Sequence, residues 1–149
     1  MDQSFHYLLM INQSLFQKKM IARLSEIGLT SGQPKILDFL NQHNGCMQKE
    51  LAFGCQIEQA TLTGILERME EKGLIIRKTK EKNRRSSYVF FTDKGMEYAA
   101  KVNCIFKEVE DEVLMGLSEE DKKDLTRIFT KICKNMTALE GKKKKKRNL

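Results

Sequence analysis

The segment from residue 58 to residue 92 constrains the fold more than any other part of the chain. It opens with "EQATLTGILERMEEKG", in which Leu62, Ile65, Leu66 and Met69 follow the i, i+3, i+4, i+7 spacing of a helix with one buried stripe. Two strand patterns follow directly, "LIIRKT" and "SYVFFT", and the basic stretch between them predicts a hairpin turn. We therefore expect the helix and the hairpin to pack against one core.

The side of this helix opposite the stripe has an unusual composition. At about 100° per residue, it combines small, hydroxyl-bearing and charged side chains. They are Ala60, Thr63, Gly64, Glu67 and Arg68, with Thr61 at the margin. An ordinary solvated face would carry long charged residues throughout. The small residues predict that the helix backbone approaches a flat or grooved partner closely.

Five further helices are predicted around this segment. Residues 5–27 carry apolar residues at roughly helical spacing, and Gly28 ends that helix. Thr30 followed by Gln33 is a capping-box pattern that opens the next helix, which ends at Asn44. The stretch "QKELAFGC" predicts a short helix. After the hairpin, "TDKGMEYAAKVNCIFKEVEDEVLMG" and "LSEEDKKDLTRIFTKICKNMTALE" predict two long helices.

The last predicted helix combines a start signal with an uncovered apolar seam. Ser118 followed three residues later by the acidic Asp121 is a capping pattern. The seam consists of Leu125, Ile128, Phe129, Ile132, Met136 and Leu139. A single helix cannot bury such a seam by itself, so the sequence predicts a partner surface for it.

Charge is unevenly placed along the 149 residues. The net charge is +7, but the C-terminal run 142–147 supplies six of the 27 basic residues, so 21 basic residues face 20 acidic ones elsewhere. The overall charge is thus weak evidence for a polyanionic partner, and local charge matters more.

Several function classes are excluded by what the sequence lacks. The start "MDQSFHYLLMINQ" has no basic region and no long apolar run, so we expect neither a signal peptide nor a membrane span, and a cytoplasmic protein. Cys46, Cys55, Cys104 and Cys133 form no CxxC pair, so we expect free thiols, no metal and no cofactor. With no catalytic pattern or phosphate-binding glycine loop, we expect no enzyme activity.

The order of helix, short helix, longer helix and basic hairpin is that of a winged helix-turn-helix. We therefore predict a mainly α fold with a small β-hairpin wing and flanking dimerisation helices. The segments "GLTSGQPKILDFL", "QKELAFGCQIEQATLTGILERMEEKGLIIR" and "EKNRRSSYVFFTDKG" together resemble the MarR (multiple antibiotic resistance regulator) family of bacterial transcription regulators. The resemblance is continuous from about Gly28 to Gly95.

The resemblance implies a homodimer that binds double-stranded DNA, as a ligand- or stress-responsive repressor at a pseudo-palindromic operator. It divides the chain into an N-terminal dimerisation helix (1–28), the winged helix-turn-helix (29–92), C-terminal dimerisation helices (93–140) and a disordered basic tail (141–149). The residues assigned to the dimer interface are Leu8, Leu9, Leu125, Ile128, Phe129, Ile132 and Met136. The tail is either solvated or adds salt-sensitive attraction to the DNA backbone.

For the longer helix, the resemblance implies contacts with base edges in the major groove. The positions that match are Gln59, Ala60, Thr61, Thr63 and Gly64. Their amide, hydroxyl and methyl groups suit that environment. Arg68, one turn later, is expected to bind phosphate, and Glu67 to point away from the DNA backbone or to restrain Arg68. The alternative for the two threonines is an ordinary role on the helix surface or in capping.

For the wing, the resemblance implies an Asp-x-Arg pattern whose arginine enters the minor groove. The matching residues here are Asn83, Arg84 and Arg85, preceded by Lys82, and all four are predicted to contact DNA. Asn83 departs from the pattern because an amide cannot form the ion pair that would orient Arg85. Arginine attraction to a narrow minor groove depends on shape more than on base identity. The alternative is a solvated turn that protects an edge strand.

Three further questions stay open at the level of sequence. Relatives in the family bind small apolar effectors, but no residue here identifies a ligand. A cysteine that senses oxidants is the alternative to inert thiols; we expect Cys104 and Cys133 to be the most buried, and Cys46 and Cys55 to be the better sensor candidates. The alternative to a DNA-binding regulator is a dimeric protein-interaction module on a winged-helix scaffold.

Overall fold

The computed structural model describes residues 3–80 and 83–148, and for residues 83 and 84 it describes the backbone alone. The helices and strands follow in the order α1 (Phe5–Ser25), α2 (Gln33–His43), β1 (Cys46–Met47), α3 (Gln48–Cys55), α4 (Gln59–Glu71), β2 (Ile75–Lys80), β3 (Asn83–Phe91), α5 (Asp93–Val113) and α6 (Glu119–Arg147). The predicted fold class, mainly helical with a small hairpin wing, is confirmed. Among the described residues, no helix is both long and apolar enough to cross a membrane.

Two compact units divide the chain, Met1–Val109 and Glu110–Leu149. Every buried residue in the described part of the chain lies in the first unit. Its fully buried side chains come from α2, α3, α4, the sheet and α5, and include Ile36, Leu37, Leu40, Leu51, Leu62, Leu66, Met69, Leu74, Ile75, Val89 and Val102. Burial of this much apolar surface drives folding of the first unit.

Two helix starts in the first unit are capped in different ways. α1 begins after Ser4, whose hydroxyl accepts a hydrogen bond from the Tyr7 amide at 3.4 Å. The Thr30 capping box before α2 is only half formed: the Gln33 side chain accepts from the Thr30 amide at 3.1 Å, but the residue that caps the helix is Gly32. Gly32 has φ +86°, which favours glycine, and this turn delays the helix start to Gln33.

The sheet has three antiparallel strands in the order β1-β3-β2. β1 pairs through Cys46 with Val89, and it was not predicted because two residues carry no periodic pattern. Between β2 and β3 the register runs regularly from Ile75 and Phe91 to Thr79 and Ser87. Beyond that point, the pairing shifts, as in a β-bulge.

This register corrects the predicted turn. Arg84 and Arg85 lie in β3 rather than in a loop, because the strand begins at Asn83. Lys80 pairs with Asn83, so the shifted register leaves Arg85 in the irregular part of the strand. A bulge of this kind redirects side chains away from the regular ladder.

The end of the hairpin fixes the start of α5. The Thr92 hydroxyl donates to the Gly73 carbonyl at 2.5 Å and accepts from the Gly95 amide at 2.9 Å. A Cβ atom at Gly95 would collide with the Leu74 carbonyl, so only glycine allows this close approach of helix and strand.

In the second unit, the predicted cap of α6 is confirmed. The Asp121 amide donates to the Ser118 hydroxyl at 3.0 Å, and the Ser118 amide donates to the Asp121 carboxylate at 3.3 Å. A disordered tail was expected at residues 141–149, but α6 continues through the lysine run to Arg147. Lysine is a good helix former, so composition alone does not end the helix there.

Candidate nucleic-acid interface

α4 separates its buried stripe cleanly from its outer face. Leu62, Ile65, Leu66 and Met69 are buried, as predicted. On the other side, Gln59, Ala60, Thr61, Glu67 and Arg68 are exposed, while Thr63 and Gly64 are half-buried. The structure therefore brings together on one surface all the α4 residues that were assigned to DNA contact. Their contact with DNA stays a prediction.

The Thr63 hydroxyl is less free than its position on the helix suggested. It donates to the Gln59 carbonyl at 3.0 Å and accepts from the Gln48 amide nitrogen, Nε2, at 3.0 Å. Gln48 is the first residue of α3, so this bond joins the two helices of the helix-turn-helix. Sequence reasoning missed Gln48 because fifteen residues separate it from Thr63, and no local pattern links them.

Arg68 lies over Gly64. A Cβ atom added at Gly64 would be 3.6 Å from the Nη1 atom of Arg68, which is an ordinary van der Waals distance. The guanidinium therefore covers the smallest residue on the outer face of α4. Arg68 is exposed, so its charge is available at this surface.

Two contacts fix α4 relative to its neighbours. Glu70 near the end of α4 forms an ion pair with Arg77 of β2, and both side chains are partly buried. The Lys72 ammonium donates to the Gly28 carbonyl at 2.9 Å and to the Gln33 side-chain oxygen at 3.2 Å. These contacts hold the helix against the base of the wing and against the α1–α2 connection.

The outer face of the wing carries cations held over aromatic rings. The Lys80 ammonium lies 4.3 Å from the centre of the Tyr88 ring, and the Lys78 ammonium lies 5.5 Å from the centre of the Phe90 ring. Val89 lies on the opposite face of β3 and is fully buried, as the strand pattern of this segment implies. Sequence reasoning did not assign Lys78 or Lys80 to the site, because their positions depend on the register.

The predicted wing-tip residues are only partly described. Arg85 is exposed. Lys82 lies outside the described residues, and so do the side chains of Asn83 and Arg84. DNA contact by these four residues, and the minor-groove role of Arg85, stay predictions.

Comparison with known proteins shows which regulators this chain resembles. The MarR family model matches residues 29–87, which include the helix-turn-helix and most of the wing. The HTH-type transcriptional regulator BilQ of Clostridium symbiosum (strain WAL-14163) is 29% identical over 138 residues, which cover 93% of this chain and 96% of BilQ. Residues 29–87 are thus similar to the MarR family.

Solved structures of MarR-like regulators share this fold. S. aureus MepR in its DNA-binding conformation is 26% identical with a TM-score of 0.78, and the match covers 90% of this chain and 99% of MepR. A MarR-family regulator from Listeria monocytogenes, complexed with 26mer DNA, is 23% identical with a TM-score of 0.81 and covers 91% and 90% of the two chains.

Outside the winged region, this chain exposes many apolar side chains. In α1, Leu8 is 39% exposed and Leu9 is half-buried. In α6, Ile128, Phe129 and Met136 are about half exposed, at 46%, 50% and 52%. Leu125 and Ile132 are half-buried. All seven predicted interface residues thus present apolar surface to solvent in the single chain, and their role in a dimer stays a prediction.

The thiols are distributed differently from the prediction. Cys104 and Cys133 are exposed, whereas Cys55 is buried and Cys46 is half-buried. The prediction failed because the apolar patterns around Cys104 and Cys133 belong to helix faces that this chain does not cover. Burial raises the pKa of Cys55 to about 11, and burial followed by the charge of Glu50 raises the pKa of Cys46. Neither thiol has the lowered pKa of a reactive cysteine.

A cleft of about 520 Å³ lies beside the helix-turn-helix. Its lining comes from the second half of α2, the end of β3 and the first half of α5, and includes Asp38, Asn41, Asn44, Phe91, Met96 and Asn103. Partial burial raises the pKa of Asp38. Among the described residues, no group of three or more His, Cys, Asp or Glu side chains is arranged to hold a metal ion.

Proposed function

We propose that this chain is a homodimeric transcription regulator that binds a pseudo-palindromic operator, as a ligand- or stress-responsive repressor. The observation that carries the proposal is the outer face of α4. Its small and polar side chains stand next to Arg68 on one exposed surface, while the apolar stripe is buried beneath. A helix of this kind can enter the major groove closely enough for amide and hydroxyl groups to reach base edges.

The wing extends this surface with positive charge. Lys78, Lys80 and Arg85 lie on or next to the exposed hairpin, and the aromatic rings limit the freedom of the two lysines. Cations held in place lose less conformational entropy when they bind phosphate. We therefore assign phosphate contacts to Lys78 and Lys80, in addition to the minor-groove contact expected of Arg85.

Relatives support this function. BilQ is named an HTH-type transcriptional regulator, and the Listeria monocytogenes relative was crystallised with DNA. Transfer of DNA binding to this chain rests on the shared fold together with the α4 surface described above.

A dimer is the arrangement that best accounts for the uncovered apolar faces. Soluble monomers rarely expose large apolar patches, so the exposed apolar side chains of α1 and the seam of α6 indicate an interface. A two-fold dimer would present two copies of α4 to half-sites about one helical turn apart, roughly 34–36 Å. Regulation in the cytoplasm, without enzyme activity, follows from this assignment.

The cleft between α2, β3 and α5 is our candidate for a small-molecule effector. An effector there would touch α2 and the last residues of the wing. If it bound the form that cannot bind DNA better than the form that can, it would shift the equilibrium between these two forms away from DNA binding. Thermal-shift screening with and without operator DNA tests this assignment. A ligand whose stabilising effect is lost in Asn103→Leu, but kept in the surface variant Thr130→Leu, supports it.

Operator selection tests the proposed function. We expect selection from a random duplex pool to enrich a pseudo-palindrome, which fluorescence anisotropy then shows to be bound far more tightly than unrelated DNA. Affinity should fall steeply with salt, because phosphate contacts release counterions. No affinity for any duplex at low salt would reject DNA binding and favour the protein-interaction module instead.

A further inference from the structure

The geometry around Thr63 fixes the direction of both of its hydrogen bonds. Its Oγ1 atom lies 3.0 Å from the Gln59 carbonyl oxygen and 3.0 Å from the side-chain nitrogen of Gln48. A carbonyl oxygen can only accept, so the single hydroxyl hydrogen is directed to Gln59. Gln48 must then present its NH₂ group, which donates to Thr63.

This arrangement limits what Thr63 can offer to a partner. The hydroxyl has no second hydrogen, and Gln48 occupies one of its two lone pairs. One lone pair and the γ-methyl group remain. A threonine in a helix has two accessible χ1 rotamers, and the bond from Gln48 stabilises the rotamer in which the hydroxyl reaches back to Gln59.

We infer that Gln48 determines base preference by holding Thr63 as a hydrogen-bond acceptor and methyl contact. The inference rests on the proposed function and adds a residue of α3 that positions one of the predicted base-contacting residues. Guanine presents only acceptors, N7 and O6, on its major-groove edge. Adenine and cytosine present amino groups there, and thymine presents a methyl group. A Thr63 that cannot donate therefore disfavours guanine at the base it contacts.

Gln48 acts through Thr63, so it is a positioning residue, and its test must separate positioning from folding. It is half-buried and joins α3 to α4, which means that its loss can also lower stability. A change of base preference at one position is a readout that a merely structural role would not move.

The test compares the base preferences of four variants with that of the unaltered chain, on the operator that the unaltered chain selects. Thr63→Val keeps a β-branched side chain with a methyl group but cannot accept, so the base position where it changes preference is the position that Thr63 contacts. At that position, we expect Gln48→Met to raise relative binding of guanine by a factor of about two to ten, the range for one hydrogen bond. Affinity for unrelated DNA should stay unchanged.

Two further variants complete the test. Gln48→Met combined with Thr63→Val should have the preference of Thr63→Val alone, because no hydroxyl remains to be released. Thr63→Ser keeps both hydrogen bonds and loses the methyl group, so it should weaken thymine binding without gaining guanine. This surface substitution also tests the inference if Gln48→Met does not fold.

The failures of the two proposals are distinguishable. A wild-type protein that enriches no site and does not prefer any duplex would reject the proposed function itself. A wild-type protein with a clear operator, but with the same base preference after Gln48→Met and a lower melting temperature, would show that Gln48 only stabilises the fold. A gain of guanine binding in Thr63→Ser would also overturn the inference.

Discussion

α4 and α6 carry the same kind of amphipathic pattern, yet their apolar faces end in different environments. In α4, all four stripe residues are buried by other parts of the chain. In α6, all of whose residues are described, none is buried, and Ile128, Phe129 and Met136 are about half exposed. Helical periodicity therefore predicts that an apolar face exists, but it does not say what covers that face.

The difference indicates that the two helices have different roles, α4 in contact with a partner molecule and α6 in dimerisation. The position of α4 is fixed by its own chain, through the buried stripe and through the Glu70–Arg77 ion pair, so its outer face is a rigid surface for contact. α6 leaves its apolar seam exposed or half-buried in the single chain, and we assign that seam to the proposed dimer interface. A regulator that needs both an ordered contact surface and a dimer uses the two patterns in these two ways.

The largest effect is expected from charges placed in the α6 seam. Ile128→Glu combined with Ile132→Glu should abolish the dimer and, with it, operator binding, because each half-site contributes modestly alone. Sedimentation velocity and anisotropy measure the two losses. Thr130→Glu, on the opposite side of α6, is the matched control and should remain dimeric. A double variant that stays dimeric would show that the seam is covered in another way.

The next largest effect is expected from truncation of the α4 stripe. Leu66 is fully buried, so Leu66→Ala should lower the free energy of unfolding by about 2–5 kcal/mol, from lost burial and the resulting cavity. Denaturant unfolding followed by circular dichroism measures it. The decrease in unfolding free energy that Leu66→Ala causes should not depend on protein concentration. For Ile132→Ala, in contrast, the decrease should grow with protein concentration, because we expect Ile132 to pack against a second copy of the chain. If the decrease in unfolding free energy depended on concentration in the same way at Leu66 and Ile132, the two apolar faces would not differ in being covered within the chain or between chains.

A smaller effect on DNA binding is expected from single substitutions on the outer face of α4. Arg68→Ala should weaken operator and unrelated DNA by a similar factor and reduce the salt slope of binding by about one, as for one phosphate contact. Thr61→Val should weaken the operator preferentially. Anisotropy titrations at several salt concentrations distinguish the two results. If Arg68→Ala altered only operator binding, Arg68 would have to be reassigned to base contact.

The smallest effect concerns the thiols of the two regions. Cys55 is buried in the first unit and Cys133 is exposed on α6, so iodoacetamide at pH 8 should label Cys133 well before Cys55, as mass spectrometry can follow. Burial raises the pKa of Cys55 to about 11, from an ordinary value of 9.0. The protonated thiol therefore contributes stability that is complete below about pH 9 and is lost as the pH rises towards 11. Cys55→Val should lack that part of the pH dependence. Equal labelling of both thiols in the folded protein would contradict the burial of Cys55.

Local patterns in the sequence were sufficient for much of the fold. The bounds of α3 match the predicted segment, the stripe of α4 is buried as its spacing predicted, and Ser118 caps α6 as its pattern indicated. These features depend on residues within a few positions of one another. The same holds for β3, where alternation places Val89 in the core.

Other features depended on contacts between distant segments, and only the tertiary structure decided them. β1 exists because Cys46 meets Val89, and the Gln48–Thr63 bond exists because α3 crosses α4. The shifted pairing at Lys80 placed the basic residues in the strand rather than in a turn. Burial of Cys55 and exposure of Cys133 likewise depended on which helix faces the chain could cover. The sequence by itself determined periodicity and caps because their free energy is local, whereas register and burial depend on how segments far apart in the chain pack together.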